Sequence, residues 1–367
     1  MNKRKILFSV PLFLLVFFLV NFTFQACSLK PNAWFPSKAP SFEGKLAKNE
    51  ILQSTEWIDL QGWYGAEDIA VDKKGNLYCG VHRKKTDFSD GAILKIDTVG
   101  RVTVFCKTDS WVTGLHFDKE ENLIACDLER GLISVNKTGK ITILASKSEN
   151  NSPFLIPNDI DIASDGIIYF SNTSSTINFS RLHARKIILE MQPDGGLYSY
   201  NPTTKTVKTL IDGAFFGNGV AISKDEDFVL MVDLAKYRVM RYWIKGKKQG
   251  TTDVFIDNLI GFPNGIARRK DGSFWLGFTT IRNELLDNLH PHTGKKKLLY
   301  GVPLWLQPKQ EPFGIVMNIS EKGEILTVFY DTTGKKVSES SSIEEHNGYL
   351  YLGGDLVNHI GKFKLPN

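Results

Sequence analysis

The feature that most constrains the fold is a hairpin motif that returns six times along the chain. Its clearest copy runs from Asn158 to Ser171, with a polar start, alternating apolar and polar residues, an Asp-Gly turn and a run rich in β-branched and aromatic residues. Alternation with a period of two on both sides of such a turn predicts a β-hairpin. The other copies begin near Glu67, Gly114, Asn218, Asn264 and Ile343.

A second hairpin pattern follows the first in the repeats, for example at residues 92–105 and 196–210. Repeats of roughly 40 to 50 residues with four strands each are typical of β-propeller blades. The sixth copy ends after its third strand, whereas the strand pattern at 56–60 has no partner of its own. We therefore predict an all-β fold, a six-bladed β-propeller with four antiparallel strands per blade, whose ring is closed by this N-terminal strand.

The first 27 residues lie outside the repeats and have the layout of an export signal. Lys3-Arg4-Lys5 precedes an apolar run from Ile6 to Val20 that continues weakly to Ala26. Two alternatives stay open: cleavage before a lipidated Cys27, as in a bacterial lipoprotein, or an uncleaved anchor, since about 20 apolar residues can span a bilayer. Both predict an exported protein, periplasmic or extracellular, that is associated with a membrane through its N-terminus.

The predicted organisation is a signal peptide or anchor at 1–27, a tether at 28–50 and the propeller at 51–367. The net charge of +5 comes from lysines in turns without interleaved aromatic residues, so we predict no nucleic-acid binding. Cys79, Cys106 and Cys126 fall inside strand patterns and are expected to be buried thiols rather than zinc ligands.

Four oxygen-bearing side chains occupy equivalent positions, where inner strands are expected to begin: Glu67, Asn158, Asn218 and Asn264. All inner strands of a propeller begin on one face, so these side chains should point into the central channel at a similar depth. Carboxylate and amide oxygens are the ligands that Ca²⁺ prefers. Asn and Gly are also common turn residues, but their recurrence in register favours a calcium site at the channel mouth.

Proton acceptors for chemistry at such an ion are predicted among the acidic and histidine side chains nearby. The catalytic candidates are Glu67, Asp159 and His82, with Asp68 as a further acceptor; a surface loop position is the alternative for His82. Two long connections on the same face, 174–192 and 281–310, are expected to form lids. Plain packing or membrane contact is the alternative, especially for the apolar knob, residues 304–306 (Leu-Trp-Leu).

Several runs resemble one known family. They are 66–72, 158–166, 217–230, 241–243, 254–263 and 345–353. They are similar to the six-bladed calcium propellers that include senescence-marker-protein/gluconolactonase enzymes, paraoxonases and strictosidine synthases, and most of all to the strictosidine-synthase-like group of the adipocyte plasma membrane-associated protein. The resemblance covers about residues 55 to 365.

This resemblance implies calcium ligands at Glu67, Asn158, Asn218 and Asn264, although the family usually has Asp at the last position. The catalytic Glu of strictosidine synthases corresponds to Ser341 and the catalytic His of paraoxonases to Thr113, so Pictet-Spengler condensation is not expected. We predict a Ca²⁺-dependent hydrolase of a small-molecule ester or lactone, of arylesterase or lactonase type. The alternative is a non-catalytic, calcium-stabilised binding module for a hydrophobic ligand or partner at the membrane surface.

Overall fold

A computed structural model describes residues 20–84, 87–307 and 310–366. Its strands form six sheets of four antiparallel strands each. The first strand is β1 (Glu56–Asp59). Blade 1 contains β2 (Ile69–Val71), β3 (Leu77–Lys84), β4 (Asp87–Ile96) and β5 (Val102–Lys107), and blade 2 contains β6 (Val112–Phe117), β7 (Leu123–Asp127), β8 (Gly131–Val135) and β9 (Ile141–Ala145).

The remaining blades follow in chain order. Blade 3 contains β10 (Pro157–Ile162), β11 (Ile168–Asn172), β12 (Gly195–Asn201) and β13 (Thr206–Ala214), and blade 4 contains β14 (Gly217–Ile222), β15 (Phe228–Asp233), β16 (Arg238–Trp243) and β17 (Thr252–Ile256). Blade 5 contains β18 (Gly261–Arg268), β19 (Phe274–Ile281), β20 (Gly314–Ile319) and β21 (Ile325–Asp331), and blade 6 contains β22 (Ser342–His346), β23 (Tyr349–Gly353) and β24 (His359–Lys364).

The ring closes through the N-terminal strand, as predicted. The sixth sheet has the order β1-β24-β23-β22, and Trp57 of β1 lies opposite Gly361 of β24. The predicted Asp-Gly turn of blade 3 is also present: Gly166 has a φ of +88°, a conformation that glycine adopts without steric cost. The six-bladed propeller expected from the repeats is therefore confirmed.

Most of the helical structure lies in connections between second and third strands. Residues 20–28 are helical and are called α1; α2 (Arg181–Glu190), α3 (Glu284–Leu289) and α4 (Thr293–Gly301) follow. Helices α2, α3 and α4 and the 3₁₀ turn Leu304–Leu306 interrupt blades 3 and 5 on the face where the inner strands begin. We call this the lid face.

The segment predicted as a tether lies against the propeller. Leu29 is fully buried among Leu189, Leu289 and Tyr300, one residue from each of the three lid helices. Further on, the Asn49 side chain bonds the backbone of the outer strand β21, accepting from the N–H of Tyr330 at 3.0 Å. These contacts hold both ends of the segment on the protein surface, so it is not a free linker.

Residues 1–19 of the predicted signal or anchor lie outside the described residues, and the domain boundaries stay predictions. None of the helices in the described part of the chain is long and apolar enough to cross a membrane. Cys79, Cys106 and Cys126 are buried free thiols, as expected, and Cys27 is exposed.

Candidate metal centre

Six residues at equivalent positions of the inner strands form a buried ring around the propeller axis. We call them the axial ring; each is between 2 and 6% exposed: Glu67, Thr113, Asn158, Asn218, Asn264 and Ser341. All but Asn264 line one cavity of about 190 Å³ that runs along the axis, and Asn264 borders it through its neighbour Gly265. The structure therefore brings together all four residues predicted as calcium ligands.

An irregularity of the inner strands coincides with the ring. In four blades the pairing register between the first and second strands shifts within the segment that contains the ring residue. The first strands concerned are β6, β10, β14 and β18; in blade 3, for example, the shift lies between Pro157 and Ile160. A β-bulge adds a residue to one strand and turns a side chain away from its regular direction. The bulges thus account for ring side chains that face the axis.

Three ring oxygens are buried without a hydrogen-bond partner among the described residues. They are Oε2 of Glu67, Oδ1 of Asn264 and Oγ of Ser341. The other side of each amide or carboxyl group is engaged: Nδ2 of Asn264 donates to Thr279 at 2.9 Å, and Oε1 of Glu67 lies 3.5 Å from Nδ2 of Asn158. Leaving such oxygens unsatisfied costs about 1–3 kcal/mol each, and a hard cation would satisfy them.

The electrostatics of the ring favour positive charge. Burial, followed by the carboxylates of Asp355, Asp159 and Asp68, raises the pKa of Glu67 well above its usual value. Below the ring, the cavity is lined by four further carboxylates, Asp68, Asp159, Asp161 and Glu344, against the single guanidinium of Arg268 and the ring of His116. A cavity with this balance attracts cations.

No group of three or more His, Cys, Asp or Glu side chains in the described ranges is arranged to hold a metal ion. An ion at the axial ring would therefore depend on amide and hydroxyl oxygens around one carboxylate, Glu67. That donor set suits Ca²⁺, which accepts six to eight oxygen ligands including amides and water, and does not suit zinc. The ring fits calcium by its chemistry.

Asp159 was predicted as a proton acceptor, and the structure shows both its oxygens engaged by backbone donors. Oδ1 accepts from the N–H of Ile160 and Oδ2 from that of Val220 in the next blade, both at 2.7 Å. Asp68 does the same between blades 1 and 2, accepting from the N–H of Leu115 at 2.8 Å. This arrangement favours a role for both aspartates in joining neighbouring blades.

His82 is not at the ring. The imidazole group of His82 is fully buried between Phe88 and Trp111, and its centroid lies 4.8 and 5.1 Å from the centroids of those two side chains. Nδ1 lies 2.8 Å from the carbonyl oxygen of Lys84 and Nε2 3.2 Å from that of Asp355. His82 therefore lines neither the cavity nor the surface, because aromatic side chains from strand β4 and from the connection before β6 enclose it.

Sequence reasoning missed a second set of polar residues further along the cavity. His116, Asp161 and Glu344 each stand three positions after a ring residue, and burial together with neighbouring carboxylates raises the pKa of Glu344 to about 8. The extra residue of a bulge lets positions separated by three face the same side of a strand. Polar residues at this offset in three inner strands were the available signal.

Comparison with known proteins agrees with the fold and the runs described above. A family model described as strictosidine synthase matches residues 158–247, and one described as strictosidine synthase-like, N-terminal, matches 44–83. Strictosidine synthase-like 3 of Arabidopsis thaliana is 32% identical over 342 residues, covering 87% of each chain. The adipocyte plasma membrane-associated protein of Bos taurus is 31% identical over 352 residues, covering 89% of this chain and 82% of that one.

Solved structures share the architecture at low sequence identity. A gluconolactonase from Xanthomonas campestris superposes with a TM-score of 0.61 at 15% identity, covering 91% of this chain and 99% of that one. A calcium-binding protein, regucalcin, from Agrobacterium tumefaciens superposes with a TM-score of 0.57 at 13% identity, covering 85% and 94%. At such identities the likeness shows the propeller fold alone.

Proposed function

The chain belongs to the strictosidine synthase-like family, and from this membership we propose that it is a calcium-dependent hydrolase of esters or lactones whose reaction centre is the axial ring. The observation that carries the proposal is the set of buried ring oxygens without hydrogen-bond partners among the described residues, at the end of an acidic cavity. The residues that would hold the ion are Glu67, Asn158, Asn218 and Asn264, with the hydroxyl of Ser341 beside them.

Bound Ca²⁺ would supply a Lewis acid for the carbonyl oxygen of the substrate. The protein itself keeps bulk solvent away from the ring, since every ring residue is almost fully buried. It also supplies a proton acceptor: Glu67 carries the carboxyl group of the ring, and its Oε2 has no hydrogen-bond partner among the described residues. Ser341 has no carboxyl group with which to transfer a proton, so a condensation of the strictosidine type is not proposed.

The named functions of similar propellers support this reaction class. One solved structure with the same fold is a gluconolactonase and another is described as calcium-binding. A hydrolase of this class needs a cation that binds the carbonyl oxygen of the substrate and a group that accepts a proton from water. The ring offers oxygen ligands for the cation, and Glu67 is the proton acceptor. Asp159 remains a predicted acceptor, although its oxygens already bond two backbone N–H groups.

The test is turnover by the purified full chain with calcium and after chelation, on aryl esters, aldonolactones and long-chain lactones. We expect calcium-dependent hydrolysis, and a loss of kcat/KM of about 100-fold or more in Glu67→Gln, the range for removal of a general base. Glu120→Gln, which changes an exposed carboxylate of the same size, should leave turnover unchanged. Absence of hydrolysis of all three substrate classes, or full activity of Glu67→Gln, would refute the proposal.

A second candidate function is a binding module in which calcium only ties the blades together. Its support is the engagement of Asp159 and His82 by backbone groups and a cavity of about 190 Å³, which is smaller than the roughly 300 Å³ or more of common small-molecule pockets. Chelation separates the two candidates. The module predicts a lower melting temperature with no activity to lose, whereas the enzyme predicts loss of turnover.

We further propose that the protein is exported and held at a membrane through its N-terminus. The support is the basic start and apolar run of residues 1–26 and the name of a relative, the adipocyte plasma membrane-associated protein. Lipidation of Cys27 and an uncleaved apolar anchor are the two forms this association could take. Metabolic palmitate labelling that disappears in Cys27→Ala supports lipidation, and labelling that is unchanged in this variant excludes it.

A further inference from the structure

The lid face carries an unusual share of exposed apolar side chains. Of the fifteen large hydrophobic residues that are exposed in the described ranges, seven belong to α1, the lid helices and the apolar knob: Val20, Phe24, Leu285, Leu298, Leu304, Trp305 and Leu306. Trp305 alone is 76% exposed. A concentration of this kind on one face is typical of a surface that contacts a membrane or another protein.

The chain enters the propeller at this same face. Phe22 of α1 packs against Gly301 at the end of α4, where an added Cβ would lie 2.8 Å from the carbonyl oxygen of Phe22. Leu29, directly after α1, is buried among the lid helices. The sequence of the apolar run from Ile6 continues into the lid face; if the run is inserted into a membrane, as proposed above, that membrane lies next to this face.

The apolar knob lies close to α1. Leu304 follows Gly301, the α4 residue that contacts Phe22, by three positions. The knob is thus held beside the point where the apolar segment reaches the protein. A bilayer that receives the segment would meet the knob at the same level, and Trp, like Tyr, is enriched at the boundary between headgroups and acyl chains.

Helix α4, which directly precedes the knob, carries a charge that suits anionic lipid headgroups. Helix α4 contains three lysines and no acidic residue, and two of these lysines, Lys295 and Lys297, are exposed. The third, Lys296, is buried and donates to the carbonyl oxygen of Asn32, which fixes α4 against the N-terminal segment at 2.7 Å. Exposed lysines near an anionic membrane surface are attracted to it.

We propose that the lid face is a membrane-docking surface, on which the apolar knob enters the headgroup boundary of an anionic lipid bilayer beside α1. The other end of the axial cavity, where Arg268 is exposed and His116 is 48% exposed, then faces the aqueous phase. No residue of the two lid connections lines the cavity within the described ranges. A ligand of the axial ring would therefore arrive from the aqueous phase, past the polar end of the channel.

The docking surface does not depend on the proposed hydrolase activity, and its test is a fluorescence measurement. The full chain carrying Cys27→Ser and Trp305→Cys is labelled with an environment-sensitive dye and reconstituted into vesicles of phosphatidylcholine and phosphatidylglycerol. Trp305 makes no contact that folding needs, since its side chain is exposed. The matched control is Val99→Cys, an exposed residue in the β4–β5 turn at the opposite face, 81% exposed.

The expected result is a blue shift of the dye at position 305, with loss of most of its emission when the acyl chains carry bromine near the headgroup boundary. A docked knob reaches about 5–10 Å into that boundary, within contact range of the quencher. The dye at position 99 should show neither change. A blue shift at 305 without bromine quenching would mean that protein covers the knob, and quenching at 99 would reverse the orientation; either result, or no change at 305, overturns the proposal.

Discussion

His290 should make the stability of the protein fall as the solution becomes acidic. This residue lies at the end of α3, is fully buried, and packs edge-on against Trp34 with a centroid distance of 4.9 Å. Neither ring nitrogen has a hydrogen-bond partner among the described residues. Burial, assisted by the positive charges of Lys296, Lys236 and Arg282, lowers the pKa of His290 from 6.5 to about 3.

The sign of the effect follows from which state binds the proton. Between pH 6.5 and about 3 the unfolded chain is protonated at His290 while the folded protein stays neutral, so the free energy of unfolding decreases as the pH falls through this window. The slope approaches about 1.4 kcal/mol per pH unit. From pH 7 to pH 5 the loss is about 2 kcal/mol, which corresponds to roughly 3 °C in Tm for a chain of this size.

The measurement compares thermal or urea unfolding of the wild-type protein and His290→Leu at pH 7 and pH 5. Leucine is apolar and similar in volume, so it leaves no unsatisfied group in the site. We expect the variant to lose about 2 kcal/mol less than the wild type over this interval. His292→Gln, which changes an exposed histidine two positions further on, should behave as the wild type. Equal losses in wild type and His290→Leu would refute the reasoning.

Two further predictions concern residues at the axis. Gly265→Ala would place a Cβ 2.1 Å from the carbonyl oxygen of Ser341 in the next blade and should destabilise the protein by about 1–3 kcal/mol. In the control variant Gly294→Ala, in α4, the added Cβ meets nothing within 4 Å and should stabilise the protein slightly. Equal Tm values for the two variants would contradict this prediction. Since the pKa of Glu344 is raised to about 8, the folded protein retains a proton that the unfolded chain loses above its usual value of 4.5, and stability falls as pH rises through that window. Glu344→Gln should therefore raise Tm more at pH 8 than at pH 5, and a gain that is the same at both pH values would count against it.

The repeats made the architecture predictable because every blade carries its own hairpin turn and period. The strand at 56–60 was assignable to the sixth blade because it was the only strand pattern without a partner. Residues Leu29 and Trp34 were not recognised as packed because their partners lie in helices of distant connections, and 29–54 has no period of its own. The burial of His82 was hidden for a similar reason, since Phe88 lies in strand β4 whereas Trp111 comes from the connection between blades 1 and 2.

The residues of the axial ring could be predicted from the sequence, but the polar residues further along the cavity could not. Residues in register at strand starts share one level of the channel, so Glu67 and the three asparagines could be grouped from the sequence. A strict period of two, however, predicts that residues three positions apart face opposite sides of a strand. The bulges in blades 2 and 3 cancel that rule locally, which is why His116 and Asp161 line the cavity although alternation places them elsewhere.

The position directly after each ring residue explains how the ring keeps its geometry. In blades 1 and 3 it is an aspartate, Asp68 or Asp159, that accepts a backbone N–H from the next blade. In blades 2, 4 and 5 it is a glycine, and an added Cβ would lie between 2.1 and 2.5 Å from a carbonyl oxygen of the next blade.

The sixth interface is closed by the hydroxyl of Ser342, which donates to Asp68 at 2.9 Å. Each of the six interfaces between neighbouring inner strands thus has a contact one residue from the axial ring, and these contacts fix the separation of the ring side chains. A cation bound by Glu67 and the three asparagines would connect blades 1, 3, 4 and 5 at this level. Its binding energy would therefore add to the stability of the closed propeller, whether or not the ring also performs catalysis.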